Sequence, residues 1–384
     1  MSSLSTVRRM RGIFAGNNKK SATKTTKPTL TSLNLTNHTP QAIVNFFKKS
    51  SKCPKFRRWR PNYEIAIHRL AKSNHFSGIE QVIEHLKHYP EIRDESFVAG
   101  LIRLYGRAKM YDHARKLFDE MPQLDCPPRS VYSFNALLKS CITSERYDKI
   151  GGLFRELPEK LSIEPNLMSY NLAMKALCKV GSLDSAVLLM DEIEKHGIKP
   201  DIVTCNTLLS ALYESERLSE AENLWIMMEK KNIVPDICSY NIRLRGSIKV
   251  NGVSKALQFF EEIINKGLKP NKFIYNTMIK MYVDEGNLDQ SKMWYEKMVQ
   301  NDCLPDVATF HMLIPLACDT KNFDLGLHLC MKAIDSQVLV YREIMQRVVD
   351  GLVEHSMIEN AKELVKLAKS CERFLSNFWH CSGL

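Results

Sequence analysis

The chain repeats itself every 35 residues, and this period constrains its fold more than any other feature. Proline recurs in one register, asparagine in a second and a small residue in a third. Three residue types that share one period indicate a repeat architecture, in which copies of one unit stack along the chain. The prolines are Pro165, Pro200, Pro235, Pro270 and Pro305, the asparagines are Asn171, Asn206, Asn241 and Asn276, and the small residues are Ala186, Ala221, Ala256 and Ser291.

Each unit predicts two helices. The small residue in the twentieth place lets the two helices approach closely, so a larger side chain such as Ala221→Phe would overpack them. Proline ends the second helix, and the Asp or Asn that follows it suits the N-cap of the next helix. In residues 202–236 the apolar positions that keep helical spacing are Leu208, Leu209 and Leu212, and then Leu224, Trp225 and Met228.

These units predict an all-α protein whose core runs along the repeats. The array extends from residue 60 to residue 376 without a gap. Two segments, 1–35 and 36–59, precede it, and a tail at 377–384 follows it. The predicted units are 60–94, 95–130, 131–166, 167–201, 202–236, 237–271, 272–306, 307–341 and 342–376.

The positive charge of the chain is concentrated at its N-terminus. Of the 384 residues, with a net charge of +11, residues 1–60 contain 14 Lys and Arg and no Asp or Glu. Residues 61–384 contain 40 basic and 43 acidic residues. The repeat array is therefore nearly neutral, and we expect it to have little general affinity for nucleic acid.

The first 35 residues contain Arg8, Arg9 and Arg11 among many Ser and Thr and no acid. This composition is typical of an organelle transit peptide, and the early arginines favour the mitochondrial matrix over the chloroplast. The alternative is a disordered basic arm that binds RNA or ribosomes directly.

Residues 36–59 are predicted to form one capping helix, with Ile43, Val44 and Phe47 apolar, followed by a basic linker. The end repeat of a solenoid needs such a cap over its exposed face. The basic cluster beside Trp59 either grips phosphate while the indole stacks on a base, or is a solvated linker. Its members are Lys55, Arg57, Arg58 and Arg60.

The sequence contains no pattern that carries catalysis. Its eleven cysteines form no CxxC pair, so buried free thiols in a reducing compartment are expected rather than a metal site. No nucleophile constellation or glycine-rich phosphate loop is present, and we expect no enzyme activity, no cofactor and no small-molecule substrate. No apolar run has the length of a transmembrane helix, so no membrane partner is expected.

The stretch SYNLAMKALCKVGSLDSAVLLMDEIEKHGIKPD at 169–201 resembles the pentatricopeptide repeat (PPR) family, in its plain 35-residue class. The resemblance is strong from Val131 to Asp306 and weaker in the flanking units. It implies a right-handed superhelical α-solenoid of about nine helix-turn-helix repeats. The stretches at 103–122 and 348–370 further resemble short plant mitochondrial members found with the mitochondrial ribosome.

The resemblance implies that each repeat reads one base of single-stranded RNA through its fifth and last residues. Asn can complement the edge of a pyrimidine, and an ionised Asp, which only accepts, can fix the orientation of the Asn amide. The implied tract is Y-U-U-Y-U from 5′ to 3′. The pairs are Asn135 with Asn166, Asn171 with Asp201, Asn206 with Asp236, Asn241 with Asn271 and Asn276 with Asp306; Val203 would wedge between bases, and Lys179 and Lys249 would face phosphates.

Two other interpretations of these residues stay open. Asp201, Asp236 and Asp306 can be helix N-caps alone, and the asparagines can form a buried polar ladder between helices. Asn is a poor residue inside a helix because it competes with the backbone, so its recurrence indicates a demand other than folding.

The outer units depart from the pattern of the central ones. Their fifth places fit no clean code, and acids in several thirteenth places are expected to repel phosphate, so RNA binding by the array alone should be weak. The fifth-place residues are Glu64, Ala99, His311 and Gln346, and the thirteenth-place acids are Glu214, Asp284, Asp319 and Glu354.

Three functions fit the sequence. The first is an RNA-binding protein of the small subunit of the mitochondrial ribosome that holds ribosomal or messenger RNA and supports translation, which agrees with weak binding from a fixed seat. The second is a free factor for stability, processing or splicing of one organellar transcript. The third is a protein-binding helical scaffold in which the asparagines are structural.

Overall fold

The computed structural model describes residues 39–370, without the side chains of residues 249–251 and 370. Within residues 39–370 all regular secondary structure is helical, which confirms the predicted all-α class. The segment at 1–35, the tail at 377–384 and the end of the last predicted unit lie outside the described residues.

Most helices come in consecutive pairs that follow the 35-residue period. Short 3₁₀ segments at Pro90–Arg93, Met121–Leu124 and Tyr147–Lys149 connect some of them. The α-helices are α1 Pro40–Ser50, α2 Pro54–Arg58, α3 Pro61–Lys72, α4 Phe76–Leu86, α5 Glu95–Arg107, α6 Tyr111–Glu120, α7 Val131–Thr143, α8 Ile150–Leu161, α9 Leu167–Lys179, α10 Leu183–Lys195, α11 Ile202–Glu214, α12 Leu218–Lys230, α13 Ile237–Asn265, α14 Lys272–Asp284, α15 Leu288–Gln300, α16 Val307–Asp319, α17 Phe323–Asp335, α18 Arg342–Glu354 and α19 Ile358–Ser370.

The chain divides into two compact units, residues 1–145 and residues 146–384. In the described part of the first, α1 packs against α3 and α4, and α5 packs against α6 and α7. The side chains of Val44, Phe47 and Leu70 in this unit are fully buried. The alternation of buried and exposed positions along these helices follows from their 3.6-residue period.

The segment between α1 and α3 is partly ordered by buried contacts. It forms the short helix α2, and Arg57 in it is buried. Its guanidinium lies 3.0 Å from the Glu91 carboxylate, donates to the Ser51 carbonyl oxygen at 2.7 Å and stacks over the Tyr89 ring. Because these partners occupy the guanidinium, Arg57 is not available to grip phosphate, whereas within residues 39–370 the other members of the basic cluster are not engaged in this way.

In the second unit the first helices of successive repeats pack against one another. α9 contacts α11, α11 contacts α13, α14 contacts α16 and α16 contacts α18. The second helices α10, α12, α15, α17 and α19 each pack against the first helix of their own repeat. The twentieth-place residues Ala186, Ala221, Ala256 and Ser291 are fully buried between helices, as their small size predicts. The α-solenoid packing is therefore confirmed within this unit.

Left-handed backbone ends the helices at regular intervals. Gly181 has a φ of 78° and Glu216, 35 residues on, has a φ of 60°. A left-handed residue after a helix lets its last carbonyls be capped, and glycine adopts that conformation without strain. α13 is the exception, since it runs through two predicted helices and is broken only where Gly252 has a φ of 68° and a ψ of −167°.

Candidate nucleic-acid interface

The last residue of each central repeat starts the next helix. Asp201, Asp236 and Asp306 have extended backbone, and each side chain accepts a hydrogen bond from the backbone N–H three residues later. The hydroxyl of that third residue accepts in return from the backbone N–H of the Asp, which completes a capping box. The N-cap role expected for these aspartates is confirmed, and the third residues are Thr204, Ser239 and Thr309.

The same carboxylates also hold the asparagines in the fifth place of the preceding repeats. In each case the side-chain Nδ2–H of the Asn donates to Oδ1 of the Asp, as the acceptor-only character of a carboxylate requires. The bond joins one first helix to the start of the next first helix. The Nδ2···Oδ1 distances are 3.3 Å for Asn171 with Asp201, 3.4 Å for Asn206 with Asp236 and 3.0 Å for Asn276 with Asp306.

These bonds hold the carboxylates in their ionised form. Burial raises the pKa of Asp201, but hydrogen bonds from the Thr204 backbone and hydroxyl and from the Asn171 amide outweigh it, and the pKa is lowered overall. Burial likewise raises the pKa of Asp236, but the equivalent bonds from Ser239 and Asn206 lower it overall. Burial also raises the pKa of Asp306, but bonds from the Asn276 amide, the Thr309 backbone and the Lys272 ammonium lower it overall. An ionised carboxylate keeps the amide nitrogen of the Asn turned toward it.

The pair Asn241 and Asn271 is arranged differently. Asn271 caps α14 by accepting from the backbone N–H groups of Phe273 and Ile274, at 3.0 and 3.2 Å. Oδ1 of Asn241 lies 3.4 Å from the Thr277 hydroxyl, whose single hydrogen goes to the nearer Phe273 carbonyl oxygen at 2.8 Å. Within the part of the chain that the structure describes, no hydrogen bond joins the two asparagines, so this predicted pair shares only its repeat places with the others.

The remaining predicted pair is divided between the two compact units. Asn135 lies on α7 in the first unit. Asn166 is the N-cap of α9 in the second unit, and its Oδ1 accepts from the Ser169 backbone N–H at 3.1 Å.

Exposed apolar side chains recur in the second place of the repeats of the second unit. Val203 keeps 55% of its surface exposed, Met168 59% and Phe273 55%. Apolar groups that stay in water beside polar reading positions suit contact with the faces of bases. Lys179 is exposed at the end of α9, and the side chain of Lys249 lies outside the described residues.

Three of the acids expected to repel phosphate are neutralised by ion pairs on the first helices. Glu214 lies 3.2 Å from the Arg245 guanidinium, and Asp284 lies 2.8 Å from the Lys280 ammonium. Asp319 pairs with Arg347 at 2.5 Å. The expectation that these acids repel phosphate took no account of these partners, which lie four residues away or in the next repeat.

The first unit contains a cleft of about 250 Å³ between α3 and α5. Arg60, Arg103 and Arg107 line it together with Phe97. Gly100 also lines the cleft, and a Cβ there would meet no atom within 4 Å, so the space beside it is open. The cleft is not apparent from the sequence, because its arginines come from different places in two repeats.

Two of these three arginines already have a partner, one an acid and the other an aromatic ring. Arg107 pairs with Glu64 at 3.2 Å, and the Arg103 guanidinium lies 5.5 Å from the centroid of the Tyr132 ring. Three guanidinium groups against one carboxylate leave the cleft with a positive balance. Planar guanidinium groups match phosphate oxygens, so the cleft can accept an anion.

A metal site, a membrane span and a reactive thiol each make their own demands on the described residues. No group of three or more His, Cys, Asp or Glu within residues 39–370 is placed to hold a metal ion. None of the described helices is long and apolar enough to cross a membrane. Burial raises the pKa of the Cys178 thiol to about 11, so this cysteine is a weak nucleophile.

Most helices come in pairs, and an Asn–Asp hydrogen bond recurs between successive first helices. These features define a helical-repeat protein of the α-solenoid class. A model described as PPR repeat family matches residues 165–214, 200–249 and 270–319, a PPR repeat model matches 100–126 and 238–268, and a pentatricopeptide repeat domain model matches 129–180. The chain belongs to the pentatricopeptide repeat family. The crystal structure of the maize pentatricopeptide repeat protein PPR10 shares its fold, with a TM-score of 0.50 and 17% identity over 88% of this chain and 57% of that one.

Relatives in Arabidopsis thaliana include ribosomal proteins. The small ribosomal subunit protein mS79 (rPPR3b) is 45% identical over 168 residues, which is 44% of this chain and 42% of the relative. The small ribosomal subunit protein mS78 (rPPR3a) is 44% identical over 165 residues, 43% of this chain and 41% of the relative. The matched stretch thus spans about two fifths of each relative's length.

A third relative bears on the location. It is a mitochondrial pentatricopeptide repeat-containing protein of A. thaliana, 41% identical over 154 residues, 40% of this chain and 36% of the relative. The predicted mitochondrial location is thus confirmed by the location of the relatives.

Proposed function

We propose that this protein binds single-stranded RNA and works as a component of the small subunit of the mitochondrial ribosome, where it supports translation. The observation that carries the RNA part is the repeated Asn–Asp hydrogen bond at one register of the first helices. The ribosomal part is supported by the similarity to small ribosomal subunit proteins.

The paired side chains have the properties that base reading needs. Each Asn amide uses one N–H on its carboxylate and keeps a second N–H for a ligand. The neighbouring apolar side chains such as Val203 are exposed and can stack on bases. Under the code of the family, Asn with Asp favours uracil and Asn with Asn favours either pyrimidine, so the proposed tract is Y-U-U-Y-U.

We infer modest affinity for free RNA. Stacking on five bases contributes about 5–15 kcal/mol at about 1–3 kcal/mol per base, which association costs of about 4–15 kcal/mol largely offset. The ion pairs at Glu214, Asp284 and Asp319 remove repulsion without adding positive charge. Attachment to a ribosomal subunit would supply the remaining affinity, because it raises the local concentration of the RNA.

Sedimentation tests the ribosomal part. Mitochondrial lysate is treated with ribonuclease to remove messenger RNA, separated on a gradient and probed with an antibody to this chain. Migration with the small subunit is expected. A protein that stays near the top of the gradient is instead a free transcript factor, which would overturn the ribosomal assignment and leave RNA binding to be measured separately.

The polar-ladder interpretation makes a different prediction for the asparagines. If Asn206 only joins helices, Asn206→Ala lowers thermal stability and leaves RNA affinity unchanged. If it reads a base, affinity for the pyrimidine tract falls at a temperature where the protein stays folded. Ser210→Ala, on the same helix α11 and removing a hydroxyl bonded to Glu214, is the matched control.

A further inference from the structure

The third residue of a repeat contacts the asparagine of the repeat before it. Thr204 Oγ1 lies 2.6 Å from Asn171 Oδ1, and Thr309 Oγ1 lies 2.7 Å from Asn276 Oδ1. A hydroxyl has one hydrogen to donate, and the amide oxygen is the nearer acceptor in both cases, since the N-cap carboxylates lie at 2.8 and 3.3 Å. Both ends of these two amides are therefore hydrogen-bonded.

Asn206 lacks the second bond. The hydroxyl of Ser239 lies 2.9 Å from Oδ1 of Asp236, and the buried Oδ1 of Asn206 has no hydrogen-bond partner among the described residues. The bond from its Nδ2 to Asp236 is also the longest of the three, at 3.4 Å. Threonine is stiff at χ1 because its β-carbon is branched, whereas serine can turn its hydroxyl to the carboxylate.

The orientation of an amide decides which pyrimidine edge it complements. Uracil presents the acceptor O4 beside the donor N3–H, and cytosine presents the donor N4–H beside the acceptor N3. An amide held in one orientation matches one of these edges, and only its flipped form matches the other. An amide bonded at both ends resists the flip more than an amide bonded at one end.

We propose that the hydroxyl in the third place positions the asparagine of the preceding repeat and sets its selectivity. Thr204 and Thr309 make Asn171 and Asn276 selective for uracil over cytosine, and Ser239 leaves Asn206 tolerant of both. This inference rests on the proposed RNA-binding function. It separates three repeats that carry the same Asn and Asp and would otherwise read alike.

The test measures base preference one position at a time. Fluorescence anisotropy gives the affinity of the full chain for an RNA with the tract CUUCU and for three RNAs with a single U→C change, opposite Asn171, Asn206 and Asn276. We expect losses of about tenfold opposite Asn171 and Asn276, the scale of one well-oriented pair of hydrogen bonds. Opposite Asn206 we expect a loss of at most about threefold, since flipping its amide breaks one hydrogen bond to the protein rather than two.

Two substitutions then move the preference in opposite directions. Thr204→Val keeps the shape of the side chain and removes the hydroxyl, so the U-over-C ratio opposite Asn171 should fall to about threefold or less, while the ratio opposite Asn276 stays unchanged. Ser239→Thr should raise the ratio opposite Asn206 to about tenfold. Thr204→Ser, which keeps the hydroxyl and frees χ1, should give the ratio found at Asn206.

The pattern of ratios separates positioning from a structural role. If Thr204 served only the capping box, Thr204→Val would weaken binding to all four RNAs alike and leave every ratio unchanged, which overturns the inference. Ser239→Thr provides an independent answer if Thr204→Val unfolds. Threonine fits the third place without loss of packing, since Thr204 and Thr309 are fully buried in the equivalent places of other repeats. Wild-type protein that binds none of the RNAs would overturn the proposed function itself, and ratios that ignore both substitutions would overturn the inference alone.

Discussion

Asn276 donates its side-chain amide hydrogen to the carboxylate of Asp306 over 3.0 Å, although the two residues are 30 positions apart in the chain. The carboxylate is the N-cap of α16, the first helix of the next repeat, where it also accepts from the Thr309 backbone N–H. Stacking of consecutive repeats therefore sets the direction of the Asn side chain. One carboxylate caps the helix and holds the asparagine, so the capping role does not exclude the proposed base reading.

Replacing the carboxylate with an amide should broaden base preference. Asp201→Asn keeps an N-cap side chain but offers Asn171 a partner that can donate or accept, so the Asn171 amide is no longer held in one orientation. The U-over-C affinity ratio opposite Asn171 should fall about fivefold, as measured by anisotropy. Asp184→Asn makes the same charge change on an exposed side chain of α10 and should leave the ratio unchanged. An equal effect of both substitutions would contradict the prediction.

The same carboxylate should make stability depend on acid pH. The pKa of Asp201 in the folded protein lies below its ordinary value of 3.8, so the folded state favours the ionised form more than the unfolded state does. The stabilisation is fully present above pH 3.8 and is lost as pH falls through the folded pKa below that value. Urea unfolding should show a gap between wild-type and Asp201→Asn that narrows from pH 5 to pH 3. A gap that is constant over this range would show that Asp201 titrates normally.

The arginine cleft of the first unit should add affinity without adding selectivity. Arg103→Ala removes one guanidinium from the cleft, so binding should weaken alike for all RNA sequences, and the slope of log affinity against log salt should decrease by about 0.7. Arg93→Ala is the matched control in the same unit, since Arg93 pairs at the surface with Asp125. A change in base preference, or an equal loss with Arg93→Ala, would show that the cleft does not contact the RNA backbone.

Two glycines should respond in opposite ways to an added methyl group. A Cβ at Gly246 in α13 would collide with the Tyr213 ring, so Gly246→Ala should lower the free energy of unfolding by about 1–3 kcal/mol. At Gly152 in α8 a Cβ meets no atom within 4 Å, and Gly152→Ala should raise it by about 0.5–1 kcal/mol. Urea denaturation of both variants measures the difference. Equal effects would mean that first helices do not pack as closely as the structure shows.

Periodic features of the sequence were sufficient to predict the repeats and the reading positions. The prolines, the small residues and the asparagines each report one place in the unit, and local rules connect such places to helix ends, helix contacts and N-caps. The predicted caps at Asp201, Asp236 and Asp306 are present because capping depends on neighbours only three residues away. The base-reading role of the asparagines stays a prediction, and the experiments above address it.

Contacts that cross from one repeat to the next could not be predicted from the sequence. The burial of Arg57 depends on Glu91 and Tyr89, 34 and 32 residues away, and the pairing of Asp319 depends on Arg347 in the following repeat. A hydroxyl also recurs in the third place of most units, and this signal was overlooked. Its difference between Thr204 and Ser239 has meaning only beside the preceding asparagine.

The sequence by itself determined the helical class, the 35-residue unit and the places of Asn and Asp, because period and local capping are properties of short stretches of chain. Only the tertiary structure decided which atoms meet: the amide of Asn171 bonded at both ends, the amide of Asn206 bonded at one, and the arginines of the first unit gathered around one cleft. Those contacts depend on the distance and angle between neighbouring helices. Side-chain packing, rather than spacing along the chain, fixes that geometry.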